Sequence, residues 1–556
     1  MKVADLVVSR LVRAGARAIF GMPGGGSTLD VIAAARDHGI RFVLSHTETA
    51  GAIMAAAQAE ITGAPGVCLS TLGPGVSSIT NGVAHAWLDR VPLVVLTDVM
   101  EPAARARYEH QNLSHGALLG PITKFTSELT ATGTEALLEE ALARALADPP
   151  GPVHLDCAPS TMSADTESPI TDSREQIADR GERITNSRER IADSGQQTAG
   201  SGSRAAAFLS PAARRLLGNA RRPLVIAGLG ARRCDDAAAL RRMCDRHGVP
   251  ALVTYKAKGV IGDGHASYAG LVTLGEIDKP LVERADVLLT VGLDPVELLP
   301  RPWPWAHPIL HCSRWPMAGE QMPAGESAIG DLAGILDEID RCLPATSDWT
   351  AAEIGVHRER QRAAVMAEAH GFTPGRAVAA IADASPAARH ITVDAGAHMF
   401  PAMALIPADV PGRILISNGL STMGYALPAA IGAALLAPAD PVVAITGDAG
   451  LLLCLGELRT AAREGVRVVV IVFADGELSL IRVKQDRRGL DPDGVRIGAV
   501  DWPRAASALG LRAFRACDEP ALREQLAEAL AADGPSLIEA RVDPAAYGRM
   551  LQTLRG

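Results

Sequence analysis

The chain has 556 residues, of which 48% are hydrophobic and 21% charged, and its formal net charge is −9. This length suits about three domains, and the composition is typical of α/β proteins. The acidic balance without dense basic runs excludes a nucleic-acid partner. We also expect no membrane association, because the N-terminal residues lack a signal-peptide core and no apolar run is long enough to span a bilayer. The eight cysteines include no C-x-x-C pair, which favours reduced thiols in the cytoplasm.

Helix and strand patterns alternate through three parts of the chain. In the first part, a helix pattern at 3–14 precedes apolar strand patterns at 18–20, 42–44, 67–70 and 91–96. The same alternation recurs from about residue 205 and again in the C-terminal third. Strands separated by helices form parallel sheets. We therefore predict three successive α/β domains, each a doubly wound parallel sheet, at residues 1–165, 205–345 and 346–556.

The segment 166–204 interrupts this pattern with a short repeat. Ile170, Ile177, Ile184 and Ile191 recur every seven residues. A coiled coil needs a second apolar position in each heptad, and the corresponding positions here hold Ser or Arg. The repeat therefore predicts a mobile linker between domains, with an assembly helix as the alternative.

Glycine-rich loops follow two strand patterns of the first part. Gly21-Met22-Pro23-Gly24-Gly25-Gly26 follows the first pattern, and Thr71-Leu72-Gly73-Pro74-Gly75 follows the third. Glycine allows the main chain to approach a ligand closely. Between the two loops, Glu48 opens a helix pattern of small residues. Taken alone, such an acid is more often a favourable residue at a helix N-terminus than a catalytic one.

Two carboxylates follow neighbouring strand patterns in the C-terminal part. The apolar pattern 442–446 leads into Gly447-Asp448, and the pattern 467–473 leads into Ala474-Asp475. A strand, a helix and a second strand form a βαβ unit, whose two strands end at the same edge of the sheet. Asp448 and Asp475 should therefore lie side by side. Hard oxygen ligands beside a helix N-terminus are typical of Mg²⁺ or Ca²⁺ bridging to a diphosphate.

These motifs together resemble the acetolactate synthase-like family of thiamine-diphosphate enzymes. That family's G-D-G…N-N signature is similar to Gly447-Asp448-Ala449 and Ala474-Asp475, although three positions differ: Ala449 replaces the second Gly, and Ala474 and Asp475 replace the Asn pair. The order G-x-P-G-G, E, G-P-G, D-x-V-P-L resembles the family's pyrimidine-binding domain. Residues 420–432 resemble its G-x-M-G-x-x-L-P-A-A-x-G segment. The resemblance covers the chain except for 166–204.

The resemblance implies a complete set of site residues. Glu48 would hydrogen-bond the cofactor's pyrimidine, with Gln111 and His110 bordering the reacting centre, although a polar loop is an equal alternative for that pair. Met423 would hold the bent form of the cofactor. The metal ligands would be Asp448, Asp475 and the main-chain carbonyl of Glu477. The remaining cofactor contacts would be Pro23, Gly24, Gly25, Gly73, Gly396, Ala397, His398, Ser421, Gly447, Ala449 and Gly450.

The implied activity is decarboxylation of a pyruvate-like 2-oxo acid and transfer of the acyl carbanion to a carbonyl or other acceptor. A role in specialised metabolism is suggested by the altered signature. Two alternatives stay open: a simple decarboxylase that releases an aldehyde, and a non-catalytic paralogue. The cofactors would be thiamine diphosphate and Mg²⁺. In this family the active sites lie between subunits, which implies a homodimer or homotetramer.

Two features of the sequence concern ligands beyond that cofactor. FAD binding is not expected, because Gly228-Leu229-Gly230 lacks a third glycine and a following acid, and residues 293–300 contain no Arg. Arg482 and Lys484 lie on the helix pattern after the metal motif. They are either solvated charges or contacts to a substrate carboxylate.

Overall fold

The structure is a computed structural model that describes residues 1–166, 208–317, 321–366, 371–384, 386 and 389–555. The chain divides into two compact units, Met1–Ala207 and Phe208–Gly556. The repeat at 170–194 lies outside the described residues. The predicted boundaries of three domains stay a prediction. Within the described residues, no helix is both long and apolar enough to cross a membrane.

The first unit contains one six-stranded sheet in which every neighbouring pair is parallel. Its order is β2-β1-β3-β4-β6-β5. The strands are β1 (Ala18–Gly21), β2 (Arg41–Leu44), β3 (Gly66–Ser70), β4 (Leu93–Asp98), β5 (Phe125–Glu128) and β6 (Pro152–Cys157). The helices are α1 (Val3–Arg13), α2 (Ser27–Asp37), α3 (Glu48–Thr62), α4 (Pro74–Leu88), α5 (Pro102–Arg105), α6 (His115–Leu119), α7 (Thr134–Leu146) and α8 (Pro159–Ser163).

The second unit contains two further sheets, each with six parallel strands. The central sheet has the order β12-β11-β10-β7-β8-β9, and the third sheet has the order β14-β13-β15-β16-β18-β17. The central strands are β7 (Pro223–Ala227), β8 (Ala251–Val253), β9 (Tyr268–Leu271), β10 (Val287–Val291), β11 (Ile309–Ser313) and β12 (Glu326–Ile329). The others are β13 (His390–Val393), β14 (Ile414–Ile416), β15 (Val442–Gly447), β16 (Val468–Phe473), β17 (Arg512–Ala516) and β18 (Ser536–Ala540).

Helices surround both sheets of the second unit. They are α9 (Pro211–Gly218), α10 (Cys234–His247), α11 (Lys279–Val282), α12 (Leu332–Cys342), α13 (Ala351–Val365), α14 (Pro374–Ala384), α15 (Met399–Leu405), α16 (Ala426–Ala434), α17 (Asp448–Leu453), α18 (Glu457–Glu464), α19 (Ser479–Arg487), α20 (Trp502–Ala508), α21 (Glu519–Ala531) and α22 (Ala546–Arg555). The inner strands are continuous apolar runs because helices cover both faces of a parallel sheet. The predicted α/β class with doubly wound parallel sheets is confirmed.

Strand order places a crevice at one point of each sheet. In a doubly wound sheet, the connections leave two adjacent strands in opposite directions, and ligands bind beyond the carboxyl ends of those strands. The orders above put this switch point between β1 and β3, between β7 and β10, and between β13 and β15. The first and third sheets share one topology. Their switch points adjoin the glycine loops and Asp448, respectively.

The two sheets of the second unit approach each other closely at Gly259. Its φ is +88°, and a Cβ at this position would overlap the carbonyl oxygen of Val410. Arg241 bridges the same contact by donating to the carbonyl oxygens of Gly259 (2.5 Å) and Asp409 (2.9 Å). Lys256 Nζ donates to the carbonyl oxygen of Ile416 (2.7 Å) from the buried side. The contact therefore needs a residue without a side chain.

We predict that Gly259→Ala lowers the melting temperature by several degrees. The added methyl group would meet backbone, and a left-handed conformation costs an L-residue about 1–2 kcal/mol. The control is Gly264→Ala, because Gly264 is exposed and a Cβ there would meet no atom within 4 Å. Calorimetry compares the two variants. Equal melting temperatures would contradict the assignment.

Candidate active site

The glycine loop after β1 is shaped by its neighbours. A Cβ on Gly24 would overlap Thr71 Oγ1 and lie 2.7 Å from Asp98 Oδ2, whereas a Cβ on Gly25 would meet open space. The N–H of Gly24 donates to Thr28 Oγ1 (2.9 Å) in the first turn of α2. The loop is therefore held close to the end of β4, and Gly25 presents its backbone to the crevice together with Pro23.

Asp98 fixes this loop from the carboxyl end of β4. Its side chain is buried and accepts hydrogen bonds from the Ser27 hydroxyl and from the N–H of Thr28 (3.2 Å). Ser27 also donates to the carbonyl oxygen of Cys157 (2.6 Å). The first turn of α2 is thus tied to β4 and β6. The sequence analysis missed Asp98, although an acid at the end of an apolar strand is the same signal that identified Asp448.

Glu48 and Gln111 both contact the second glycine loop. Glu48 is the first residue of α3, after the N-cap Thr47, whose side chain accepts from the N–H of Ala50. A Cβ on Gly75 would lie 3.3 Å from Glu48 Oε1, and a Cβ on Gly73 would lie 2.8 Å from Gln111 Cβ. Gly73 has φ +64° and Gln111 has φ +57°. The structure therefore brings the predicted carboxylate and glutamine to one turn of the first unit.

The loop that carries His110 and Gln111 is exposed, but polar contacts anchor both of its ends. On the N-terminal side, Arg105 Nη2 donates to both carboxylate oxygens of Glu128 on β5 (2.7 and 2.8 Å). On the C-terminal side, His115 Nδ1 lies 2.6 Å from Asp156 Oδ1 on β6. Gln111 can therefore be held in position although its side chain is exposed.

His115, His154 and Asp156 form a buried polar network. Their ligand-type atoms lie within 4.8 Å of one another. They are hydrogen-bonded among themselves and to two hydroxyls, because Thr97 Oγ1 donates to Asp156 Oδ1 (2.7 Å) and Thr126 Oγ1 lies 2.6 Å from His154 Nδ1. Burial raises the pKa of Asp156, but the hydrogen bonds and charges of the two histidines lower it by more. The net pKa is therefore well below the usual range of an aspartate. The network therefore anchors the start of α6, and with it the C-terminal end of the loop, to β6.

Asp394 organises the third sheet in the same way. Its carboxylate follows β13 and accepts from the N–H groups of Gly424 (3.0 Å) and Tyr425 (3.1 Å) and from Thr446 Oγ1 (2.8 Å). Burial raises its pKa to about 6. A Cβ on Gly450 would overlap its Oδ2. Asp394 therefore fixes the turn that contains Met423 and requires glycine in the first turn of α17.

Asp448 and Asp475 meet as the βαβ pattern predicted. β15 and β16 are parallel, and Gly447 pairs with Phe473 at their carboxyl ends. The N–H of Gly476 donates to Asp448 Oδ2 (2.7 Å). Burial raises the pKa of both carboxyls, that of Asp475 to about 6, and the charge of Asp448 adds to the latter shift. Two carboxylates that repel each other in a half-buried site are suited to a cation.

The second acid also contacts its own loop. Asp475 accepts from Ser479 Oγ (2.5 Å) and from the N–H of Glu477 (3.2 Å). Glu477 forms a backbone bridge to Arg496. The pKa of the buried Tyr547 on α22 is raised by burial and, to a smaller extent, by the charges of Asp475 and Asp448. Sequence reasoning gave no indication of Tyr547.

The region around His398 fits a diphosphate. Its imidazole is buried, and burial lowers its pKa to about 4. Its Nε2 is buried without a hydrogen-bond partner in the described part of the chain. A Cβ on Gly396 would lie 2.6 Å from the ring, and one on Gly447 3.3 Å from it. The other ring nitrogen bonds the backbone of Asp394, so Nε2 can donate to a phosphate oxygen once the ring is protonated, a form that the negative charge of a diphosphate would favour.

The structure thus assembles the predicted residues into two groups. Those of the first unit adjoin the glycine loops. Those of the second unit surround β13 and β15: Gly396 and His398 follow β13, the half-buried Met423 and exposed Ser421 lie on the turn held by Asp394, and Gly447, Ala449 and Gly450 begin α17. Ala397 is buried one residue before His398.

We predict that Asp156→Asn lowers the free energy of unfolding by about 1.5–3 kcal/mol, because a charged hydrogen-bond acceptor is lost from a buried network. The variant should also lower kcat while leaving cofactor affinity unchanged, since only the loop carrying Gln111 is loosened. The control is Glu140→Gln, which breaks an exposed bridge to Arg144 on α7. Thermal unfolding and steady-state kinetics make the comparison. An Asp156 variant as stable as this control would refute the anchoring role.

Comparison with known proteins identifies the family. Residues 1–118 match the N-terminal TPP binding domain of thiamine pyrophosphate enzymes, residues 211–339 match their central domain, and residues 394–540 match their C-terminal TPP binding domain. Each match falls on one of the three sheets described above, and together they cover β1–β4, β7–β12 and β14–β18. They include both glycine loops, Asp448 and Asp475.

Full-length relatives agree. The chain is 29% identical to the catabolic acetolactate synthase of Raoultella terrigena, over 97% of this chain and 95% of the relative. It is 27% identical to the acetolactate synthase of Bacillus subtilis, over 97% and 93%. It is 28% identical to a probable 2-ketoarginine decarboxylase of Pseudomonas aeruginosa, over 97% and 94%. The chain therefore belongs to the acetolactate synthase-like family of thiamine pyrophosphate enzymes.

Proposed function

We propose that this enzyme uses thiamine diphosphate and Mg²⁺ to decarboxylate a 2-oxo acid and to transfer the acyl unit to a second carbonyl or other acceptor. The observation that carries the proposal is the junction of β15 and β16. There Asp448 and Asp475 offer oxygen ligands for a cation, and the unpartnered Nε2 of His398, once protonated, offers a donor for a diphosphate. Thiamine diphosphate, when bound, supplies the carbon nucleophile and the electron sink for decarboxylation.

Asp448 and Asp475 would hold Mg²⁺ with their carboxylates, and Glu477 would do so with its main-chain carbonyl. The N–H donors at the start of α17 and the imidazole of His398 would hold the diphosphate. Met423, fixed by the hydrogen bonds of Asp394 to the following turn, would press against the middle of the cofactor. This arrangement supports binding of one extended ligand along the carboxyl edge of the third sheet.

Glu48 would hydrogen-bond the aminopyrimidine ring and exchange a proton with its ring nitrogen. Its position supports this role, because the carboxylate borders the Gly75 backbone at the N-terminus of α4. Gln111, on the adjacent face of the same loop, would contact the substrate, with His110 beside it. The exposure of these two residues is consistent with contact to a ligand that enters and leaves.

We propose that FAD is not bound. In FAD- or NAD-binding sheets of this strand order, the N–H groups of the first glycine loop face a pyrophosphate. Here Glu297 occupies that position: its carboxylate accepts from the N–H of Leu229 (2.9 Å), from the N–H of Asp294 (3.1 Å) and from the Thr254 hydroxyl. A Cβ on Gly228 would lie 2.5 Å from the same carboxylate. An internal acid thus competes with a phosphate for these donors.

Assembly and location rest on the resemblance and the sequence alone. A homodimer or homotetramer with active sites between subunits, and a cytoplasmic location, stay predictions. A simple decarboxylase that releases an aldehyde is the second candidate, and the similarity to a probable 2-ketoarginine decarboxylase favours it. A non-catalytic paralogue is the third candidate, because Ala474 and Asp475 replace both asparagines of the family signature.

Product analysis by mass spectrometry tests the proposal. Protein with thiamine diphosphate and Mg²⁺ is offered pyruvate and other 2-oxo acids, with and without acceptors, and we expect a ligated product. Aldehyde and CO₂ alone would favour the decarboxylase, and no cofactor-dependent product would favour the paralogue.

A variant tests the role of Glu48. Glu48→Gln should lower kcat by about 10²–10⁴-fold, as loss of a general acid–base group does. Glu60→Gln, at the other end of α3, is the control.

A second prediction concerns the metal ligands. Two carboxylates neutralise Mg²⁺ more than one carboxylate and one amide, which weakens its attraction for the diphosphate. Asp475→Asn should therefore keep or strengthen thiamine-diphosphate binding, whereas Asp448→Ala should abolish it. Calorimetric titration with Mg²⁺ measures both, with the exposed Asp486→Asn on α19 as control. An Asn variant that cannot bind the cofactor would refute the assignment of Asp475.

A further inference from the structure

A cavity of about 390 Å³ lies in the second unit, where the switch point of the central sheet faces the third sheet. Its walls combine polar groups with apolar and aromatic side chains, among them Tyr255, Leu274, Leu293, Leu298, Trp303 and Phe400. Its volume is that of a site for a small molecule. The central cavity, as we call it, is therefore large enough to take much more than the methyl group of pyruvate.

The central cavity is continuous with the proposed cofactor site. Gly396 and Ser421, which belong to that site, also line the cavity. On the opposite side the lining includes Leu480 and Lys484 of α19. A substrate held at the cofactor can therefore extend its side chain away from the reacting carbon and along the apolar walls.

Two donors that line the central cavity, on Lys484 and Trp303, have no partner among the described residues. Glu297 also lines it, but its carboxylate is occupied by three hydrogen bonds, and burial raises its pKa to about 7. Lys484 has no hydrogen bond or ion pair with any described residue, and it lies at the exposed end. Trp303 has a buried indole N–H without an acceptor among the described residues. A cation and a neutral donor on apolar walls favour a ligand with an anionic oxygen.

The two candidate cations of α19, Arg482 and Lys484, differ in their surroundings. Arg482 Nε lies 3.0 Å from Asp486 Oδ1 one turn along the helix and does not line the central cavity. Lys484 lines the cavity and has no acidic neighbour on its helix turn. Of these two side chains, only Lys484 is placed to pair with the carboxylate of a ligand in the central cavity.

We propose that the central cavity receives the side chain of a 2-oxo acid that ends in a second carboxylate, and that Lys484 pairs with this carboxylate. The inference rests on the proposed function and specifies its substrate class. Lys484 acts on binding and not on the chemical step, because the second carboxylate is remote from the reacting carbon. A charged hydrogen bond of this kind, partly exposed, favours the dicarboxylate about tenfold.

An isosteric pair of substrates tests the proposal. 2-Oxoglutarate and 5-methyl-2-oxohexanoate have the same length and differ in a terminal carboxylate against a terminal isopropyl group. We expect kcat/KM to favour 2-oxoglutarate at least tenfold in the natural enzyme. Lys484→Met should abolish this preference, mainly through KM, and Lys484→Arg should retain it. Lys279→Met, which removes a surface lysine paired with Glu276 outside the cavity, is the matched control. Equal preference in the natural enzyme and in Lys484→Met would overturn the proposal.

A binding measurement separates this inference from the proposed activity. Glutarate and 5-methylhexanoate lack the 2-oxo group, so calorimetric titration of the protein with each reports the cavity without turnover. We expect tighter binding of glutarate, lost in Lys484→Met. If this holds while no 2-oxo acid is consumed, the proposed function fails and the cavity assignment stands. If 2-oxo acids are consumed but glutarate binds no better than 5-methylhexanoate, the cavity assignment fails alone.

Discussion

The carboxylate of Asp394 is the contact on which the second unit's half of the site depends. Asp394 follows the end of β13. Its carboxylate accepts hydrogen bonds from two N–H groups of the turn after Met423 and from the hydroxyl of Thr446, two residues before Asp448. One buried acid therefore sets the position of Met423, which is predicted to support the cofactor, relative to Asp448, a predicted metal ligand. Burial raises its pKa to about 6, and the hydrogen bonds from these donors lower the pKa and so favour the charged form.

The first unit uses the same principle twice. Asp98 holds the glycine loop at the start of α2, and Asp156 holds the loop that carries Gln111. In each case the acid follows or ends a buried strand and accepts from groups of a loop that is distant in the chain. A loop that must stay open to ligands cannot be fixed by apolar burial, so buried carboxylates at the sheet edge provide its rigidity.

The central sheet is also a doubly wound parallel sheet, but the glycine loop at its switch point contacts an acid of the chain itself. Its glycine loop donates to Glu297, an internal acid that would compete with a phosphate for this donor. Beside it lies the central cavity, whose lining includes both Gly396 of the proposed cofactor site and Lys484. The chain thus combines two polar crevices with one apolar cavity, which suits a cofactor with charged ends and a substrate with a hydrophobic middle.

The amino-acid sequence by itself determined the α/β class, the parallel sheets and the adjacency of Asp448 and Asp475. These follow from local rules, since apolar periodicity selects the strand or helix and the handedness of βαβ units aligns strand ends. The observed strand β4 begins at Leu93, later than the pattern from 91 suggested, because Val91 donates its N–H to Ala86 and closes α4. Only the tertiary structure decided that Asp394 fixes the Met423 turn, that Gln111 rests on Gly73, and that Lys484 shares a cavity with Trp303. Those contacts join loops far apart in sequence, and their distances depend on how whole sheets and helices pack, which no local pattern encodes.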